Sequence, residues 1–294
     1  MNSDLWPALP LAAWQETYRT LHMWTQIAGK IRMALAPSMN HWWHVALYVN
    51  SRGLTTGPVP YAGGVFEIQF DFARHELEMR TSDGRAISRL LRPESVAAFY
   101  RGVFDGFAYL GVSVEINRKP QECADPISFD EDEVHHAYDP EFAARFWRIL
   151  VSSAKVMERF RARFVGKCSP VHFFWGSFDL ACTRFSGRPA PARRGAISGP
   201  AYSHEVCSAG FWPGGGAVDG PAYYSYTVPP PAGLEREQVR PAGARWHPQL
   251  SEFILMYDDV RAAASPEDAL YEFLESTYAA GARLGKWDRA ALEL

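Results

Sequence analysis

Residues 168–188 read CSPVHFFWGSFDLACTRFSGR, an aromatic run of strand character with Ser177 and Asp179 in its middle. A strand serving only as core filler would not place a hydroxyl and a carboxylate among Phe173, Phe174, Trp175 and Phe178, because a buried carboxylate needs a hydrogen-bond or charge partner. The run also has a counterpart. A shift of 130 positions lays HWWHVALYV (41–49) on VHFFWGSFD (171–179) and the turn TGPVP on SGRPA, and a shift of 174 lays Leu110-Gly111 on Leu284-Gly285.

The elements around the two runs come in the same order. Trp14, Tyr18, Leu21, Ile27, Ile31 and Leu35 recur at helical spacing, and Pro37 stops the helix before the first aromatic run. VFEIQFDF and HELEMRT alternate at period two, SDGR reads as a hairpin turn into AISRLL, and a helix starting near Pro93 runs to Gly111. In the second half Asp139-Pro140 starts a helix whose stripe is Phe142, Phe146, Leu150, Ala154, Met157, Phe160 and Phe164. Strand-like runs YSHEVCSAGF, AYYSYTV and EFILMY follow, then a last helix from ASPEDAL. This predicts an α+β fold of two similar halves, 1–120 and 139–294, each an antiparallel sheet packed on a long helix and related by internal duplication. Residues 121–138 form an acidic connector, and VPPPAGLEREQVRPAGARWHP is a proline-stiffened surface excursion.

Composition narrows the function classes. The 294 residues are 47% hydrophobic and 14% aromatic with ten tryptophans, so the chain has ample material for a core or a lined pocket. A net charge of -3 with scattered basic residues argues against a nucleic-acid face, and the cluster Arg159, Arg161, Arg163 and Lys167 suits the end of a helix. Cys123, Cys168, Cys182 and Cys207 form no CxxC pair and read as reduced, mostly buried thiols. No basic, apolar leader and no 18-residue apolar segment is present, which predicts a cytoplasmic chain without membrane association.

Chemistry concentrates in the second half. At the 130-residue shift, Val45, Leu47 and Val49 correspond to Trp175, Ser177 and Asp179, so an apolar face has become aromatic, hydroxyl and carboxylate. His172, Arg184, Arg188, His204 and Glu205 are candidate partners for Asp179. In the functional reading Asp179 orients a histidine or a ligand donor, His204 transfers protons and an arginine holds an anionic group. In the bland reading Asp179 faces solvent or ties down a turn, with Arg184 as its ion-pair partner. FWGSFD is not a GxSxG nucleophile elbow, and SHEVCSAGFWPGGG lacks the lysine and spacing of a phosphate loop. FDEDEVHHAYD has carboxylates and imidazoles but neither HExxH nor EF-hand spacing, so it reads as a solvated linker with Asp139 as a helix cap and no metal is assigned. HWWH cannot present both histidines from one face of a strand, so His41 and His44 read as core or half-exposed.

The segments WPALPLAAWQETYRTLHMWTQIAGKIRMAL, NHWWHVALYV, GLTTGPVPY, GKCSPVHFFWGSFDLACTRFSG and SHEVCSAGFWPGGG together resemble a bacterial protein family of unknown function over nearly the whole chain. The resemblance implies bacterial origin and one family unit spanning both halves. It assigns no activity, cofactor or catalytic residue.

The expectation is a small-molecule pocket in or near the second half, lined by Trp175, Ser177, Asp179, Arg184, His204, Glu205 and Trp212. Its enzyme version is a hydrolase or isomerase using His204 with Asp179. The competing class is a non-catalytic interaction or regulatory protein forming a homodimer through exposed aromatics.

Overall fold

Helical periodicity over the first 35 residues becomes α1 (Leu11–Leu35), the longest element of the computed structural model, which describes residues 5–123 and 126–294. The aromatic run that follows departs from the strand expectation. Asn40–Trp42 form a single 3₁₀ turn in which His41 and Trp42 have φ of 58° and 60°, and only β1 (Tyr48–Val49) is extended. Left-handed backbone at two bulky residues is uncommon and persists only where surrounding packing dictates it. That packing is in the second half, where the His41 ring lies 4.6 Å from Phe185.

Next come β2 (Gly53–Thr55), β3 (Val59–Tyr61), β4 (Gly64–Asp71), β5 (Glu76–Thr81) and β6 (Ala86–Leu90). They form an antiparallel sheet in the order β1-β2-β4-β5-β6, with β3 beside β4. The alternation read in VFEIQFDF buries Phe66, Ile68 and Phe70 on one face. Phe66 meets Phe107 and Phe70 meets Phe99 of α2 (Val96–Leu110), a helix capped by the Ser95 hydroxyl and closed by left-handed Gly111.

The second half opens with α3 (Pro140–Ala162), whose first amides at Glu141 and Phe142 donate to the Asp139 carboxylate. The stretch 168–188 is two strands, not one: β7 (His172–Phe174) and β8 (Asp179–Pro189), joined by a turn over 175–178. Trp175 and Ser177 therefore stand in a hairpin turn, and Asp179 opens the return strand. The left-handed Phe178 (φ 58°) makes the corner. Then follow α4 (Ser198–Ala201), β9 (His204–Trp212), β10 (Ala222–Val228), β11 (Arg245–His247), β12 (Glu252–Met256), α5 (Tyr257–Arg261), α6 (Pro266–Leu284) and α7 (Arg289–Leu292). The second sheet is antiparallel in the order β11-β12-β10-β9-β8-β7. β11 lies within the proline-rich excursion and lengthens the sheet by one short strand.

The fold is thus α+β, with two antiparallel sheets and seven α-helices among the described residues. The sheets meet edge to edge: Leu47 and Phe173 exchange both backbone bonds, at 2.9 and 2.8 Å. One face of the second sheet carries Leu180, Cys182, Arg184, Phe211 and Tyr223 and is covered by α3 and α6; Tyr223 shares a 2.8 Å hydrogen bond with Ser153 of α3. Helix α1 serves both halves. Trp24 stacks on Phe99 of α2 at 4.5 Å, while Trp14 meets Phe146 of α3 at 5.2 Å. The connector is anchored as well as solvated: Glu131, Glu133, Val134 and His136 are exposed, but Phe129 and Asp132 are buried, and Asp132 accepts hydrogen bonds from Val134, His135 and the His135 ring.

Candidate functional site

The other face of the second sheet is only partly covered, and a cavity of about 260 Å³ lies on it. Strand pairing explains the hollow. One row across the sheet reads His172, Ala181, Gly210, Tyr224, so two minimal side chains lie between two large ones. The next row, Thr183, Ser208 and Tyr226, is small and polar on two strands of three. Phe185 and Val206 close one end, packed with Trp43 and Tyr202. Over this floor come the 3₁₀ turn with Trp43 and Val45, the 197–202 segment, and connector residues Gln121 and Glu122. The cover is pinned by hydrogen bonds from the Trp42 indole to the Ile197 carbonyl (3.0 Å) and between the His41 ring and the Ala201 carbonyl (3.2 Å).

Asp179 sits at the opposite end of the floor, 7% exposed. One carboxylate oxygen accepts from the Ser177 hydroxyl and the other from the Tyr224 hydroxyl. Tyr224 reaches it by lying over Gly210, where any Cβ would collide with the Leu180 carbonyl and the Tyr224 hydroxyl. Burial pushes the Asp179 carboxyl up, opposed by the two hydroxyl donors. At the mouth stands Glu122, open to solvent on one side, in a left-handed conformation (φ 55°). Protein crowding on its other side raises its carboxyl, and nearby Asp179 adds to the effect. Trp175 forms a side wall, its indole donating to the Val45 carbonyl at 2.8 Å and occupying the space a side chain on Gly29 of α1 would need.

His172 lies on the floor with no exposed surface, and neither ring nitrogen has a hydrogen-bond partner. Burial, with Arg32 and Arg161 nearby, lowers its pKa to about 3, so the ring is a neutral donor and acceptor at neutral pH. At the far end His41 is engaged, its Nε2 accepting from the Lys167 ammonium at 2.7 Å. Backbone strain also gathers here: His41, Trp42 and Glu122 all line the cavity with positive φ, and left-handed Phe178 lies between Ser177 and Asp179.

A family model described as a family of unknown function, DUF5996, matches residues 6–294. The chain belongs to this family. No curated protein and no solved structure matches it.

In this DUF5996 chain the structure gathers Trp175, Ser177 and Asp179 at one end of the cavity and distributes the other expected site residues elsewhere. Arg184 points to the opposite face of β8, where it stacks 3.4 Å from the Phe160 ring, donates to the Phe160 carbonyl and pairs with Glu275. Glu205 accepts from Arg188 and Ser186. His204 pairs with Pro189, at the end of the β8–β9 ladder remote from Asp179, and its ring touches His41 at 5.6 Å. Trp212 is not part of the cavity lining and packs with Val218, Ala222 and Ile254. Tyr224, Tyr226, His41 and Glu122 were not read as site residues. The alternation in AYYSYTV does put the two tyrosines on one face, which was the available signal. The described residues contain no group of three or more His, Cys, Asp or Glu placed to hold a metal ion, and none of their helices is long and apolar enough to cross a membrane.

Proposed function

We propose that this protein binds a small organic molecule in the cavity over β7–β10, with Trp175, Ser177, Asp179 and Tyr224 as its main contacts. The observation that carries the reading is the hollow itself: Ala181 and Gly210 leave the floor open between His172 and Tyr224, and Asp179 is held at its end by the Ser177 and Tyr224 hydroxyls. Aromatic walls with few, converging polar groups are the usual make-up of ligand sites. The competing reading, association through exposed aromatics, finds less support, since Tyr109 is the one strongly exposed large aromatic among the described residues. We further read the two halves, 1–120 and 139–294 around the 121–138 connector, as diverged copies; each has a long helix, an antiparallel sheet and a closing helix, and the sheets abut at the Leu47–Phe173 bridge.

The test fills the hollow. In Ala181→Phe the new ring occupies cavity space rather than core. Native mass spectrometry of the purified full-length chain should show a bound organic molecule, or a metabolite library should raise its melting temperature, and Ala181→Phe should abolish either effect. Absence of both effects in the unaltered protein, or their survival in Ala181→Phe, would refute the reading.

A further inference from the structure

We propose that the ligand carries a positive charge, an ammonium or quaternary ammonium group seated between Trp175, Phe174 and Tyr224, with Asp179 and Glu122 as its counter-charges. The inference rests on the cavity being a binding site and adds the class of molecule. Among the described residues no lysine or arginine lines the cavity; the carboxyl groups that do are Asp179 on the floor and Glu122 at the mouth, and the histidines are His41 and His172. An anionic ligand would meet two acids and no fixed cation. A cation would meet acids and the negative faces of aromatic rings, the combination that recognises organic ammonium groups.

Three further observations agree. The Glu122 carboxyl forms no hydrogen bond and no ion pair among the described residues, although it stands in a strained backbone conformation beside the Gly176 turn. Asp179 and Glu122 each become harder to ionise through burial or crowding, and Glu122 also through Asp179, a penalty that a cation between them relieves. The rings at the opposite end already hold an ammonium: Lys167 Nζ lies 5.3 Å from the Trp43 ring and 4.9 Å from that of Phe185. Lys167 is outside the cavity wall, behind His41, and Phe185 is six residues along β8 from Asp179, so it leaves the acidic end free.

Three probes of one shape separate the possibilities: choline, its neutral isostere 3,3-dimethylbutan-1-ol, and the anion 3,3-dimethylbutyrate. Binding to the full-length protein is followed by quenching of the cavity tryptophans, Trp42, Trp43 and Trp175, and by calorimetry. Choline should bind at least about tenfold more tightly than the alcohol, and the anion should not bind, as expected for a cation facing carboxylates and rings. Asp179→Asn and Glu122→Gln should each weaken choline about fivefold or more while changing the alcohol less than about twofold. Should Asp179→Asn fail to fold, Glu122→Gln at the exposed mouth carries the test. Equal or tighter binding of the alcohol, or any binding of the anion, overturns the cation inference and leaves the cavity reading standing. Failure of all three probes, together with an unaltered protein that responds to no metabolite, removes both.

Discussion

Tyr224 can reach Asp179 because residue 210 has no side chain, and Asp179 can stay buried because Tyr224 and Ser177 donate to it. The influence of this carboxyl extends to Glu252 on β12, which burial first and Asp179 second push from an ordinary value of 4.5 up to about 7. A carboxyl with a raised folded-state pKa keeps a proton that unfolding releases. Its stabilising contribution is therefore full below about 4.5 and is lost as pH rises through about 7. The wild type should lose roughly 1–2 kcal/mol relative to Glu252→Gln between about pH 5 and about pH 8, less than the about 3 kcal/mol of the full shift, because the side chain is partly open to screening solvent. Urea denaturation at several pH values measures this, and parallel pH profiles for the two proteins would exclude Glu252 as the source. At this scale the sequence was half legible. An aspartate among aromatics is conspicuous in one dimension; a tyrosine in a strand and a histidine beside phenylalanines are not, because their significance lies in which partners they lack or reach across three strands.

Element boundaries set by local chemistry were largely readable: Asp139 and Ser265 cap helices with their side chains where the chain predicted helix starts, and the period-two runs became β4 and β5, whereas α2 starts after its Ser95 cap rather than at Pro93. Boundaries set by distant packing were not. HWWHV has strand composition, yet His41 and Trp42 turn left-handed to meet Phe185 and the Ile197 carbonyl from the other half. The β7–β8 hairpin hid in the same way, since its corner is an aromatic residue rather than a glycine or asparagine. Its seat against α1 depends on Gly29, where a Cβ would enter the Trp175 indole. Gly29→Ala should therefore destabilise the protein by about 1–3 kcal/mol, the usual range for overpacking, despite alanine's better helix propensity. Thermal unfolding followed by tryptophan fluorescence reports both the loss and the displaced indole. A melting temperature equal to or above that of the wild type would show that Trp175 is not held there.

Over the whole molecule, a single hydrophobic cluster runs from Leu9 to Trp287, and α1 contributes Trp24 to the first half and Trp14 to the second. Neither half retains a complete core without the other. Urea unfolding should accordingly be one transition, coincident by far-UV circular dichroism and tryptophan fluorescence, and a fragment of residues 139–294 should lack fixed tertiary structure. Two separated transitions, or a fragment with dispersed amide resonances, would contradict this. The long helices and the period-two strands were visible in the chain in their order, but the short strands β2 and β3 were hidden in a run of turn formers, and the sharing of α1 was not visible, because a helix with buried residues on several sides looks the same whether one partner or two surround it. The bridge between Leu47 and Phe173 adds a consequence for solubility. Each sheet's inner edge strand is short and is closed by the other half, so any parting of the halves uncovers two unpaired backbone edges at once. Those edges fit each other equally well within one molecule or between two. The same contact that joins the sheets is therefore a ready template for exchange of halves between chains, held in check by the packing of α1 across both.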